Sequence, residues 1–194
     1  MLINLIGGQR RGGAPKKAPE LLTFERRNWL IHNHYTRKEF DICKTVIRSQ
    51  LDETHGMCEY ANYIQGLILR QEGKIQESLE MFQICNILNP NSPVHIKQMA
   101  RSLFLLGRHR LAIEAYKQAQ VRSDTTGEGS NDWEIYHNLG VCYMYLKQLD
   151  AAVEELQKSL HFHKVKPITN IYPNNATFSI SQKLQMLILF YILS

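Results

Sequence analysis

From about residue 59 onward, apolar and polar residues alternate with the period of an α-helix, in short segments separated by polar turns. Apolar residues recur three and four positions apart, which places them on one face of each predicted helix. The clearest segment, residues 133–160, is typical of two amphipathic helices joined by a tight turn. Gly140 and Ala152 are the small residues expected where these helices cross, because small side chains let two backbones approach.

The same arrangement occurs in three copies. Three columns of small residues step by 34 and then by 40 residues along the chain. These columns are Gly66, Ala100 and Gly140; Ser78, Ala112 and Ala152; and Cys85, Ala119 and Ser159. Large residues predicted to fill the space beside the crossings are Leu69, Leu103, Tyr143, Phe82, Tyr116 and Leu156. The longer second step indicates an insertion in the polar, glycine-containing stretch before Trp133.

A 34-residue unit of two helices and a turn resembles the tetratricopeptide repeat (TPR). The resemblance implies an all-α fold, a TPR-type α-solenoid of antiparallel helix pairs with about three and a half repeats. The expected organisation is a disordered basic arm (1–22), a divergent capping helix pair (24–51), repeats at 57–90, 93–122 and 132–163, an inserted loop (123–131), and a non-repeat tail with a short apolar helix (164–194). Pro93 suits a first helical turn, and Asp132 suits an N-cap.

In TPR arrays the first helix of each repeat lines a concave groove, so the resemblance implies where a partner protein would bind. The residues predicted to face that groove are Tyr60, Tyr63, Leu67, Arg70, Val94, Lys97, Arg101, Phe104, Glu134, His137, Val141 and Met144. Within each helix they lie three or four positions apart and therefore share a face. Aromatic side chains and a methionine among charges suit capture of a peptide or helix.

One charged part of this groove suggests an alternative function. Lys97 and Arg101 lie about one turn apart and would form a local positive spot. Together with Asn138, this spot is similar to the carboxylate clamp of chaperone-binding TPR domains, although the first repeat lacks the clamp's usual basic and asparagine residues. A generic adaptor or co-chaperone that binds peptide termini is therefore the alternative.

Composition and charge narrow the possible classes of function and partner. The net charge is +5, and Arg10, Arg11, Lys16 and Lys17 supply four positive charges before any acidic residue, so the body is nearly neutral and no nucleic-acid partner is predicted. The four cysteines include no CxxC pair, which favours reduced, buried thiols. No run of 18 apolar residues exists, so no membrane-spanning helix is expected.

The sequence gives no reason to expect catalysis. His32 and His34, like His161 and His163, are two residues apart, and on a helix such side chains point roughly 200° away from each other. Neither pair can therefore hold one metal ion from one face. No phosphate-binding loop, dinucleotide fingerprint or nucleophile elbow is present. We expect a non-enzymatic protein without a cofactor or metal.

Several short sequence segments are not dictated by the repeat pattern and point to one family. They are KKAPE at 16–20, NWLIHNHY at 28–35, QESLEMFQ at 76–83, ARSLFLLG at 100–107 and NLGVCYMYLKQ at 138–148. They resemble the N-terminal region of the Bardet–Biedl syndrome family of TPR subunits of the BBSome, a complex that moves membrane proteins into and out of cilia. The resemblance implies a scaffold in cilium assembly and protein transport. Its implied partners are other BBSome subunits, pericentriolar material protein and dynein–dynactin components. Its implied locations are the cytoplasm, the centrosome and centriolar satellites, the ciliary basal body and the cilium.

The chain departs from that family in three places. Its first fifteen residues do not match, it carries the insertion near residues 125–130, and it ends after about three and a half repeats. The stretch from Val165 matches nothing in the family, and Lys164-Val-Lys166 is what a frame running through a splice donor can encode. We therefore expect a truncated isoform or a gene model that reads into an intron.

Overall fold

The structure is a computed structural model that describes Thr23, residues 25–126 and residues 132–165. Within these residues it contains eight α-helices and no strand. The helices are α1 (Asn28–Thr36), α2 (Phe40–Glu53), α3 (Glu59–Gln71), α4 (Ile75–Leu88), α5 (Pro93–Leu105), α6 (His109–Thr126), α7 (Trp133–Tyr145) and α8 (Leu149–Val165). The predicted arm of residues 1–22 and nearly all of the predicted tail lie outside the described residues.

The helices form successive antiparallel pairs. The strongest packing in the repeats lies between partners of a pair, α3 with α4, α5 with α6 and α7 with α8, and each pair then packs on the next through α2 with α3, α4 with α5 and α6 with α7. Contacts restricted to near neighbours along the chain define a solenoid. The predicted all-α solenoid of helix pairs is confirmed.

Each helix pair turns at one residue with a left-handed backbone. These residues are Lys38 (φ 60°), Gly73 (φ 81°), Gly107 (φ 73°) and Lys147 (φ 59°). Glycine adopts this conformation without a steric penalty, whereas a side chain with a Cβ disfavours it. The first and last described turns therefore use the same geometry as the middle two with a less suitable residue, and the absence of glycine near Lys147 does not change the turn.

Packing within the pairs follows the columns of small residues. The structure buries all nine of them, together with four of the six large residues beside the crossings; Leu103 and Tyr143 are half-buried. At the tightest crossing, Gly140 of α7 lies against α8, and a Cβ added there would be 2.5 Å from Leu156 Cγ and 3.2 Å from the Ala152 carbonyl oxygen. No larger residue fits at this position without movement of α8.

Helix boundaries near the insertion and at the end of the last repeat differ from the expected ones. Residues 123–126 of the loop expected at 123–131 are helical, because α6 continues to Thr126, and residues 127–131 lie outside the described residues. Ser123 is buried, and the first strong helix breaker is Gly127, so the helix has no reason to stop earlier. Similarly, α8 runs to Val165, slightly beyond the expected limit of the repeat. The predicted cap is present: Asp132 accepts a hydrogen bond from the Glu134 N–H, and Pro93 occupies the first turn of α5.

Candidate protein-binding site

The predicted groove residues lie on α3, α5 and α7, the first helices of three pairs, and we call their surface the first-helix face. Two of the twelve residues, Val94 and Arg101, are exposed. The other ten are half-buried. Half-buried side chains touch both the interior of the stack and the solvent, so a partner that covers this face would also contact groups that position the helices.

Polar side chains bridge successive first helices across this face. His32 Nδ1 of α1 lies 2.9 Å from the Tyr60 hydroxyl of α3. Arg70 donates to Gln98 Oε1 of α5 at 2.7 Å, and the Gln98 amide nitrogen donates to the Tyr63 hydroxyl at 3.4 Å. The face is therefore an ordered surface in which several predicted binding residues already have partners.

Lys97 is one of these partnered residues. Its ammonium group lies 2.8 Å from a Glu134 carboxylate oxygen and 3.0 Å from an Asp132 carboxylate oxygen, both at the start of α7. Burial alone would lower the pKa of Lys97, but the hydrogen bonds with Glu134 and Asp132 outweigh it, and the pKa is raised. The positive charge is neutralised within the chain, so Lys97 does not join Arg101 in the expected positive spot.

Arg70 is held by packing. Its guanidinium carbon lies 5.3 Å from the centre of the Phe82 ring, in a cation–π arrangement. Burial lowers the pKa of Arg70, and the nearby charge of Arg101 lowers it further. Tyr63 packs edge-on against the same Phe82 ring at 5.8 Å. Arg70 and Tyr63 thus tie α3 to the core and to α5, while Arg101 stays exposed.

The far end of the face is aromatic. Phe104 lies 5.2 Å from both the His109 ring and the Tyr145 ring, and His109 stacks on Tyr145 at 4.8 Å. Tyr145 remains 61% exposed. This cluster joins α5, α6 and α7 and leaves the Tyr145 side chain largely exposed, a feature that the repeat columns did not single out.

His137 and its neighbours complete the face on α7. His137 packs near the Trp133 ring at 6.4 Å, and burial lowers the pKa of His137 although Glu134 opposes the shift. Val141 and Met144 continue the same side of the helix and are half-buried. This end of the face is less charged than the middle.

A cavity of about 560 Å³ opens beside the first-helix face at the start of α3 and α5. Three predicted residues, Tyr60, Tyr63 and Val94, line it. The remaining lining residues were not predicted: Glu25, Asn28, Met57, Cys58, Glu59, Ser92 and His95. They come from residues that precede or begin α1, α3 and α5, and no repeat column marks them because these connections differ from pair to pair.

The side chains of His32 and His34 have different partners and do not converge. His32 contacts Tyr60, whereas His34 lies 2.6 Å from a Glu39 carboxylate oxygen. In the part of the chain that the structure describes, no group of three or more histidine, cysteine, aspartate or glutamate side chains is arranged to hold a metal ion. Across the same residues, none of the helices combines the length and apolarity needed to cross a bilayer. All four cysteines are buried and none forms a disulfide.

Comparisons with known proteins agree with this architecture. Residues 134–160 match the tetratricopeptide repeat family model. Over 149 residues, 77% of this chain, it is 56% identical to the BBSome complex member BBS4 of Xenopus tropicalis and 54% identical to that of Bos taurus. Over this stretch the chain is a homologue of BBS4. A Drosophila melanogaster BBS4 homologue is 35% identical over 125 residues. The chain spans 28% of the length of the Xenopus and Bos BBS4 proteins that it matches.

Solved structures support the fold independently. The crystal structure of MamA aligns with a TM-score of 0.62 at 17% identity, covering 73% of this chain and 78% of MamA. MamA 41-end from Desulfovibrio magneticus RS-1 aligns equally well at 16% identity, covering 73% of this chain and 76% of that one. At these identities the likeness concerns the fold alone. The TPR-type solenoid and the similarity to BBS4 therefore rest on separate observations.

Proposed function

We propose that this chain is a non-enzymatic TPR scaffold that binds other BBSome subunits through its first-helix face. The observation that carries the proposal is the 53–56% identity to three BBS4 proteins over 149 residues. A stack that leaves ten half-buried residues on one continuous face supplies the surface that such assembly needs.

The finer parts of the proposal follow the same resemblance. The chain acts in ciliary membrane-protein transport and in cilium assembly. Its further partners are pericentriolar material protein and dynein–dynactin components, and its locations are centriolar satellites, the ciliary basal body and the cilium. The relatives reported above are named as members of the BBSome complex, which supports the BBSome role. The further partners and locations go beyond what those names state.

The co-chaperone alternative is not favoured by the geometry. It requires Lys97 and Arg101 to grip a carboxylate together, but Lys97 already pairs with Asp132 and Glu134. Displacing those carboxylates would leave them without their cation in a partly buried site, which opposes binding.

The test is co-purification of the full chain with co-expressed BBSome subunits. A double variant of exposed residues on the first-helix face, Val94→Asp with Arg101→Glu, should lower capture at least about tenfold, since it adds charge where apolar and cationic groups meet the partner. The matched control is Leu111→Asp with Arg110→Glu on α6, where both residues are also exposed. The control should leave capture unchanged.

Two results would contradict the proposal. Wild-type chain that captures no BBSome subunit would remove the assembly role. Equal losses in the two double variants would show that binding does not depend on the first-helix face. An acidic peptide with a free C-terminal carboxylate is included as the co-chaperone probe, and binding of that peptide in preference to BBSome subunits would favour the alternative.

A further inference from the structure

The described lining of the cavity beside the first-helix face is acidic. Two carboxylates line it, Glu25 and Glu59, and no lysine or arginine is among its described lining residues. Glu59 Oε1 lies 2.7 Å from His95 Nε2, and the Glu59 side chain keeps 41% of its surface exposed. Glu25 is exposed. A cavity with acidic walls attracts positive charge and repels negative charge.

Apolar groups stand next to these carboxylates. Met57 is 59% exposed and Val94 is 40% exposed, although both are apolar. The Tyr60 ring lies between them in sequence and lines the same cavity. Exposed apolar groups beside carboxylates form a surface complementary to a side chain that has a long alkyl stem and a cationic end.

His95 holds one of the two carboxylates of the acidic wall. It is 4% exposed, and its Nε2 contacts Glu59 while its ring packs 5.8 Å from the Tyr63 ring. A buried ring held by two neighbours fixes Glu59 at the start of α3, so its carboxylate is positioned before a ligand arrives. Asn28 and Ser92 add neutral polar groups to the lining.

We propose that this cavity binds a lysine or arginine side chain of a partner protein. The alkyl stem lies on Met57 and Val94, and the cation lies between Glu25 and Glu59. The inference deepens the proposed function, since it assigns the chemistry of one contact on the surface where partners bind. The basic residues within 10–17 of this chain are the competing occupant. The experiment distinguishes the two occupants.

The experiment measures binding of short labelled peptides to the purified full chain by fluorescence anisotropy. The probe peptide is acetylated and amidated and carries one lysine between leucine and serine residues. Its counterparts replace the lysine by norleucine, which keeps the stem without the charge, or by glutamate. The lysine peptide should bind about tenfold more tightly than the norleucine peptide, as expected for a charge-assisted contact, and raised salt should reduce the difference.

Variants assign the effect to the cavity. Glu25→Gln changes an exposed side chain and should weaken the lysine peptide about threefold, while Glu25→Gln with Glu59→Gln should weaken it about tenfold. Met57→Ala should weaken the lysine and norleucine peptides equally, because both keep the stem. Glu114→Gln on α6, also at an exposed glutamate, is the matched control and should change nothing.

Three outcomes would overturn the inference. The first is equal affinity for the lysine and norleucine peptides. The second is an unchanged affinity in the Glu25→Gln, Glu59→Gln variant with its helical content intact. The third is several-fold tighter peptide binding after Lys16→Gln with Lys17→Gln, which would show that the chain's own basic residues occupy the cavity. Failure of the proposed function is seen separately, as absence of BBSome subunits from the wild-type co-purification.

Discussion

Replacing Gly140 by alanine should destabilise the chain, although alanine is the better helix former. The added Cβ would lie 2.5 Å from Leu156 Cγ and 2.8 Å from Leu156 Cδ2. Leu156 is 3% exposed, so its branch carbon has no free space to enter. The Ala152 carbonyl oxygen, 3.2 Å away, is a second close contact and belongs to the backbone, so a shift of the Leu156 side chain alone would not relieve the crowding.

The magnitude follows from two opposing terms. Removing a glycine from a helix interior stabilises by about 1 kcal/mol. Forcing an extra carbon into a packed crossing costs roughly 1–3 kcal/mol, and a contact with the branch carbon of a buried leucine belongs at the upper end. The net expectation is a loss of about 2 kcal/mol in the free energy of unfolding.

The assay is denaturant unfolding followed by far-UV circular dichroism, with hydrogen exchange of α7 and α8 amides as a local readout. Because a solenoid is stabilised by neighbouring units, the loss should appear first in the α7–α8 pair. Gly66→Ala is the matched control. Its added Cβ would lie 3.0 Å from the Phe82 ring and 3.2 Å from Met81 Cβ, contacts less severe than the 2.5 Å contact at Gly140, so its loss should be smaller.

A double-variant cycle tests the stated cause. Leu156→Ala alone should cost about 2–5 kcal/mol through its cavity. Combined with Gly140→Ala, it removes the clash, so the double variant should lose clearly less than the sum of the two single losses. A Gly140→Ala protein as stable as wild type, or strictly additive losses, would refute the packing argument.

Three further predictions concern a cap, a titration and two thiols. Asp132→Ala should lower the free energy of unfolding by about 1–2 kcal/mol, since it removes the N-cap of α7 and one ion-pair partner of Lys97; Asp132→Asn, which keeps the cap, should lose less in the same denaturation assay, and equal losses would contradict the capping role. Burial lowers the pKa of His137 below 6.5, so the unfolded chain binds more protons between the folded and unfolded pKa values, and stability should fall as pH drops below about 6.5. A His137→Gln variant should show a flatter stability profile between pH 7 and pH 5, and an unchanged profile would count against His137. Burial raises the pKa of Cys85 and Cys142 to about 12, so both should resist iodoacetamide at neutral pH in the native chain and react after unfolding; mass spectrometry that finds rapid native labelling would contradict their burial.

The repeat columns predicted the fold because they record a packing requirement. Gly66, Ala100 and Gly140 must be small wherever a first helix crosses its partner, so their spacing reveals the unit directly. The turn geometry could be predicted less well from the sequence. Lys147 adopts the same left-handed conformation that glycine adopts at Gly73 and Gly107. There the packing of α7 on α8 overrides the local preference.

The candidate binding site was predicted less fully for a physical reason. Periodicity within one helix shows which side chains share a face, and the face that it predicts includes Val94 and Arg101, which the structure leaves exposed. It does not show which charges meet between helices. Lys97 pairs with Asp132 and Glu134 across an insertion, so no fixed spacing relates them. The cavity likewise depends on Met57 and Glu25, which lie outside the repeat columns.

The bridges between first helices couple partner binding to the spacing of the helix pairs. Gln98 holds Arg70 and Tyr63 across the gap between two helix pairs, and Lys97 holds Asp132 and Glu134 across the next. A partner that contacts these groups favours one spacing of the pairs over others, and by reciprocity the spacing sets the affinity for the partner. A substitution at a bridge should therefore alter binding at the neighbouring repeat without touching the bound protein, because it changes how the two helix pairs are held relative to each other.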